Sequence, residues 1–309
     1  MTTLIIILSV LLLFTAFLYC IYLATFARLP KFLRTKKMLY RTSQFDAVKE
    51  KIMQKLDQLD AKPFTPITAK SHDGKSLYAR LYEGSDTSTV ILQMHGYRGH
   101  AIKDFCGTSL YWLSKGKTLL LPDQRAHENS TSNTITFGIK ERYDVLCWIK
   151  KIIELYGKDV KIILSGVSMG ASTVLMASEL DLPKNVKGII ADCPYTSPKE
   201  IILKVARDRG FPPKLIYPFI RLSALIFGGV DIEKASPMEA LKKAKLPILF
   251  IHGDDDRFVP YEMGKALFDS YDGQKKMLTV KDAGHAFSYF FNTAEYEKAL
   301  DEFTQSLLA

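Results

Sequence analysis

The sequence predicts an α/β fold: a mostly parallel central sheet with helices on both faces, a small helical cap, and an N-terminal transmembrane helix. Three observations predict it. Eight short apolar runs recur between residues 67 and 280, most of them separated by segments of helical spacing. A long irregular stretch, 192–244, breaks that alternation. Residues 4–27 carry no charge at all.

The uncharged run, LIIILSVLLLFTAFLYCIYLATFA, has 24 residues. As a helix it spans about 36 Å, against roughly 30 Å of bilayer hydrocarbon. A cleavable signal peptide needs a basic start and a shorter apolar core, whereas only Met1, Thr2 and Thr3 precede this run. A buried soluble helix would show a polar stripe. The reading is therefore a single-pass anchor over 1–27. Arg28, Lys31, Arg34, Lys36, Lys37 and Arg41 follow with no acid among them. The positive-inside tendency then puts the rest of the chain on the cytoplasmic side.

Within 28–62, residues 44–60 place Phe45, Val48, Ile52, Leu56 and Leu59 at helical spacing, and Pro63 and Pro66 stop that helix. The remainder, 63–309, reads as one domain. Its strand-like runs are 67–70, 77–83, 89–94, 118–121, 161–165, 188–191, 247–252 and 277–280, the first two joined at Asp73-Gly74. Helical patterns fill 103–114, 139–155, 171–179, 261–271 and 294–307. The stretch 192–244, with Phe211-Pro212-Pro213 and Gly228-Gly229, reads as the cap over the strand ends.

Composition narrows the function. The chain has 309 residues, 47% hydrophobic and 24% charged, as in an ordinary globular enzyme. Of its net +9, the segment 28–41 supplies six charges, so the folded part has no dispersed cationic face for nucleic acid. Cys20, Cys106, Cys147 and Cys193 form no CxxC pair and no metal-ligand cluster with histidine. They read as buried free thiols, and no metal or organic cofactor is expected.

Gly166-Val167-Ser168-Met169-Gly170 follows the apolar run KIILS and precedes the helix-forming ASTVLMASEL. A serine on a tight strand-to-helix turn projects its hydroxyl above the sheet at a helix N-terminus, where dipole and N–H groups favour developing negative charge. Serine is a weak nucleophile and needs a base. His285, in Asp282-Ala283-Gly284-His285, lies 117 residues beyond Ser168 and just after a strand, as the last member of a Ser…Asp…His order requires. Between them His252-Gly253-Asp254-Asp255-Asp256 follows the run PILFI and offers three carboxylates, among which spacing does not choose. An oxyanion hole needs two backbone N–H donors. Met169 supplies one, and Tyr97, in the glycine-flanked turn His95-Gly96-Tyr97-Arg98-Gly99, the other, with His95 bracing that turn.

HGYRG at 95–99, DQRAHENS at 123–130, GVSMG at 166–170, HGDDDRFVP at 252–260 and AGH at 283–285 stand in the order of the α/β-hydrolase superfamily. The chain resembles its branch of serine-aminopeptidase-like and lysophospholipase-like proteins, and is similar to membrane-anchored bacterial hydrolases and to the BEM46-like group. The resemblance covers 64–309. It implies that the acid is Asp256, the fifth position of H-G-x-x-D-x-x-V-P. The family's D-x-R-G-H-G-x-S appears with Ala126 and Glu128 in place of its two glycines. The expected activity is hydrolysis of a carboxylic ester, a small-molecule or lipid-derived one, through Ser168, His285 and Asp256. A thioesterase or serine peptidase would use the same groups, and a non-catalytic membrane-tethered binding protein is the rival of a different class.

Overall fold

A computed structural model describes residues 1–33 and 43–308. Arg34, Lys36, Lys37 and Arg41 of the basic segment lie outside the described residues. All eight strand-like runs form strands: β1 Thr65–Lys70, β2 Ser76–Tyr82, β3 Asp86–Met94, β4 Lys117–Asp123, β5 Lys161–Val167, β6 Val186–Asp192, β7 Ile248–Gly253 and β8 Lys275–Val280. They make one sheet in the order β1-β2-β4-β3-β5-β6-β7-β8. β1–β2 and β2–β4 pair antiparallel, and every other pair is parallel.

The apolar runs look continuous because the parallel strands are buried on both faces. Within β5, Ile163 packs into one core layer while Ile162 and Leu164 pack into the other. β7 divides the same way, Leu249 and Ile251 against Ile248 and Phe250, as the two-residue period of a strand demands. One layer is closed by α2 (Ser43–Asp60), α3 (Ala101–Ser114), α10 (Ser288–Phe291) and α11 (Thr293–Leu308). The other is closed by α4 (Glu141–Tyr156), α5 (Met169–Ala177), α8 (Pro237–Leu241) and α9 (Tyr261–Ser270). The apolar stripe of α2 (Phe45, Val48, Ile52, Leu56 and Leu59) is buried in the first layer, where α2 packs on α3.

Between β6 and β7 the irregular stretch contains α6 (Pro198–Asp208), α7 (Pro213–Gly228) and α8. Each starts with proline at its first or second position, where the missing N–H costs nothing. Ser197 and Ser236 cap α6 and α8 by accepting from the N–H of Glu200 and Glu239. A third core cluster joins α6 and α7 to Met169, Tyr195 and the end of α1 (Thr2–Thr25).

α1 is long and apolar enough to cross a membrane. Its side chains up to Phe17 are exposed, but Leu18, Tyr22 and Phe26 are buried. This end packs along α7: Phe14 and Phe17 meet Phe219, and Tyr19 and Tyr22 meet Phe227. The Tyr22 hydroxyl bonds Thr134 Oγ1 at 2.7 Å, and Ala27 pairs with Thr134 in a short antiparallel bridge. All four cysteines are free. Cys106 and Cys193 are buried and Cys147 is half-buried, but Cys20 is exposed, contrary to expectation, because it stands beside, not on, the Leu18, Tyr22 and Phe26 face of α1 that packs on the domain.

Candidate active site

Ser168 stands between the end of β5 and the first residue of α5 with φ 56° and ψ −117°, a backbone conformation rare for a residue with a side chain. Two glycines make the turn possible. A Cβ on Gly170 would lie 1.8 Å from the Met94 carbonyl oxygen, and one on Gly166 would lie 2.4 Å from the Ala171 nitrogen. The Ser168 N–H donates to the Asp192 carbonyl at 2.8 Å, and its own carbonyl accepts from Ser172 at 3.0 Å. These bonds hold the strained turn from both sides.

The Ser168 Oγ lies 3.0 Å from His285 Nε2, and His285 Nδ1 lies 2.7 Å from Asp256 Oδ2. The other carboxylate oxygen, Oδ1, accepts the N–H groups of Phe258 and Val259, both at 2.9 Å. Burial alone would raise the Asp256 carboxyl. The facing His285 and hydrogen bonds from His252 and His285 outweigh it and hold the group well below the usual carboxylate range. The neighbouring aspartates are otherwise engaged. Asp254 accepts the Asp282 N–H at 2.6 Å, and Asp255 pairs with Arg257 and accepts from Gln44. Of the three aspartates after β7, only Asp256 meets the histidine.

The turn 95–99 lies beside Ser168: a Cβ on Gly96 would sit 3.4 Å from Ser168 Cβ. The N–H of Gly96 is held by Asp104 at 2.9 Å and that of Arg98 by His127 Nε2 at 3.0 Å. Among the described residues, the N–H groups of Tyr97 and Met169 have no acceptor. His95 braces the turn, its Nδ1 meeting the Gly96 carbonyl at 2.8 Å and its Nε2 accepting the Gln124 N–H at 2.9 Å. Burial pulls both His95 and His127 down to about 3, so both imidazoles are neutral and each keeps an acceptor nitrogen for a backbone N–H.

Ala126 and Glu128 adopt φ 62° and 30°, so this loop keeps left-handed backbone without glycine. It is held from beneath by Arg125, whose guanidinium bonds Asp144 at 2.6 and 2.7 Å and Asp73 at 3.0 and 3.3 Å. Sequence reasoning missed these partners, along with Asp104 and Phe258, whose ring packs 4.9 Å from His285. Asp104 reaches the site only through the fold, with no local motif to mark it, and Phe258 falls at an unspecified position of H-G-x-x-D-x-x-V-P.

Ser168 borders two cavities. One, of about 350 Å³, is lined almost wholly by apolar side chains of α1, α6 and α7 together with Tyr97, Phe137 and Met169. The other, of about 540 Å³, is more polar and is lined by Gln44, Arg98, Arg257 and His285 among others. Cys193, Asp256 and His285 bring atoms of metal-ligand type within 4.8 Å of one another. Burial pushes the Cys193 thiol well up, away from the thiolate a metal would need, and Asp256 and His285 already bond each other.

A family model for the alpha/beta hydrolase fold matches residues 89–225, and a second, for TAP-like proteins, matches 230–306. The chain is an α/β-hydrolase. The uncharacterized protein YqkD of Bacillus subtilis (strain 168) is 24% identical to this hydrolase over 261 residues, 83% of each chain. Protein ABHD12B of Homo sapiens is 25% identical over 66% of the hydrolase, a match spanning 56% of the human protein. Among solved structures, the Pyrococcus furiosus esterase Pf2001 superposes with a TM-score of 0.64 at 20% identity, covering 80% of the hydrolase and 92% of the esterase. At that identity the likeness is one of fold.

Proposed function

We propose that this hydrolase is a membrane-anchored serine esterase acting through Ser168, His285 and Asp256. The observation that carries the reading is the unbroken hydrogen-bonded run from Asp256 through His285 to the Ser168 hydroxyl, ending where two cavities meet. His285 Nε2 takes the hydroxyl proton as Oγ attacks the ester carbonyl, and Asp256 stabilises the imidazolium and fixes its tautomer. The N–H groups of Tyr97 and Met169 bind the oxyanion. The protonated His285 then gives its proton to the leaving alcohol. Water repeats the sequence on the acyl-enzyme, releasing the acid and restoring Ser168.

The apolar cavity suits an acyl chain, and the polar one suits the alcohol portion. α1 is the single-pass anchor, and the lysine and arginine that follow it between 28 and 41 favour the catalytic domain at the cytoplasmic face. The test is turnover of p-nitrophenyl acetate, an acyl thioester and an aminoacyl amide, together with labelling by a fluorophosphonate. Ester turnover and labelling are both expected to vanish in Ser168→Ala. Undiminished turnover in that variant sinks the reading. Preference for the thioester or the amide would reassign the class, and absence of labelling would leave a tethered binding protein.

A further inference from the structure

Resting on the esterase reading, we infer that α1 is a wall of the acyl-binding site as well as an anchor. The substrate is then a single-chain amphiphile whose acyl chain enters sideways from the bilayer. Phe17, Cys20, Ile21, Ala24 and Thr25 line the apolar cavity beside Ser168. They recur at helical intervals, so they form one face of α1, next to the face (Leu18, Tyr22, Phe26) that packs on the domain.

Docking fixes that wall. The Tyr97 hydroxyl donates to the Thr25 carbonyl at 2.8 Å, and Arg98 Nη2 donates to the Leu23 carbonyl at 3.2 Å. The turn that brings a backbone N–H to Ser168 therefore also holds the last turn of α1. The cavity opens on the same side. Phe17, Cys20, Ala24 and Phe211 line it and are nevertheless exposed, so they stand at its rim.

Helix length sets the depth of that rim. The exposed residues Thr2–Phe17 span about 24 Å, short of the roughly 30 Å of hydrocarbon. Crossing the bilayer therefore draws the next turns of α1, those bearing Cys20 and Ile21, into its apolar edge. α7 packs along this part of α1 and leaves Leu215, Leu225 and Ile226 exposed at 70%, 44% and 56%, surface suited to acyl chains and not to water. A volume near 350 Å³ accepts one chain of about a dozen methylenes, taking each as about the size of a water molecule, roughly 30 Å³.

The experiment uses the full-length protein in phospholipid nanodiscs and reads the ratio of kcat/KM for p-nitrophenyl dodecanoate to that for p-nitrophenyl acetate. Ala24→Trp and Cys20→Trp fill the cavity from α1 and should each lower the ratio about tenfold or more, since every methylene denied burial weakens long-chain binding. Leu12→Trp, on an exposed turn of α1 outside the cavity, should leave the ratio unchanged. An unchanged ratio in both cavity variants overturns the inference while acetate turnover leaves the esterase reading standing. If wild type cleaves neither ester, the esterase reading has failed and the wall is judged by binding alone. A fluorescent dodecanoic acid should then bind Ser168→Ala and be lost from the Ser168→Ala, Ala24→Trp double variant, and equal binding to both overturns it.

Discussion

Replacing Asp256 by asparagine changes one atom at the centre of the site, and the local geometry dictates how the new amide must sit. Oδ1 of Asp256 accepts two backbone N–H groups, those of Phe258 and Val259, at 2.9 Å each. An amide keeps its oxygen there, because turning its NH₂ toward two donors would leave both unpaired in a buried place. The NH₂ therefore faces His285 Nδ1, where the carboxylate oxygen lay at 2.7 Å. Nδ1 must then accept, the ring proton moves to Nε2, and the nitrogen 3.0 Å from Ser168 Oγ becomes a donor. The base is present but holds the wrong proton. In a serine triad this tautomer change lowers kcat by about 10⁴, or roughly 5.5 kcal/mol of transition-state stabilisation. The assay is kcat/KM for p-nitrophenyl acetate, with Asp254→Asn and Asp255→Asn alongside. Those two side chains serve the Asp282 turn and the Arg257 and Gln44 contacts and should cost little. A loss of under about tenfold in a folded Asp256→Asn protein, or an equal loss in either neighbour, would refute the assignment.

Two further predictions concern stability. His95 and His127 are buried with values near 3, below the ordinary 6.5, so the unfolded chain binds more protons than the native one between those limits. Each histidine contributes stability that is full above pH 6.5 and falls as pH drops, by up to about 1.4 kcal/mol per pH unit, while Asp123 and Asp192, raised by burial to about 6, contribute the opposite slope below that pH. Urea midpoints at pH 7.5 and 5 in wild type and His127→Gln isolate the histidine share: the cost of the substitution should shrink by about 2 kcal/mol at pH 5, and an unchanged cost would contradict it. Ala126→Gly and Glu128→Gly place glycine where φ is already positive and should each raise stability by about 0.5–1 kcal/mol, less what the unfolded chain gains in freedom. A lowered thermal midpoint in both would mean the loop is not strained as described.

What was legible in the sequence was whatever local chemistry dictates. The strands showed as apolar runs because buried parallel strands hide both faces, and Ser168 showed because its turn needs glycine at 166 and 170. Asp256 was not readable from spacing. It differs from Asp254 and Asp255 in what it meets, His285 on one oxygen and the N–H groups of Phe258 and Val259 on the other, and the fold alone decides that. The cap helices had a readable signal in Ser197-Pro198, Pro212-Pro213 and Ser236-Pro237, serine or proline followed by a proline at a helix start. The docking of α1 had none. A helix apolar all round has no stripe to mark the side that packs on the domain.

That docked helix has a thermodynamic consequence. Ala27 and Thr134 close a chain segment of about a hundred residues, so the pose of α1 and the fold of the loop beneath the cap are one equilibrium. Whatever favours that pose stabilises the domain by linkage, and whatever favours another pose opposes it. On the membrane-anchored reading, a bilayer of matching thickness acts in the way a ligand does, and a micelle or a mismatched bilayer acts as a poorer one. The melting temperature of this hydrolase is then expected to vary with lipid composition.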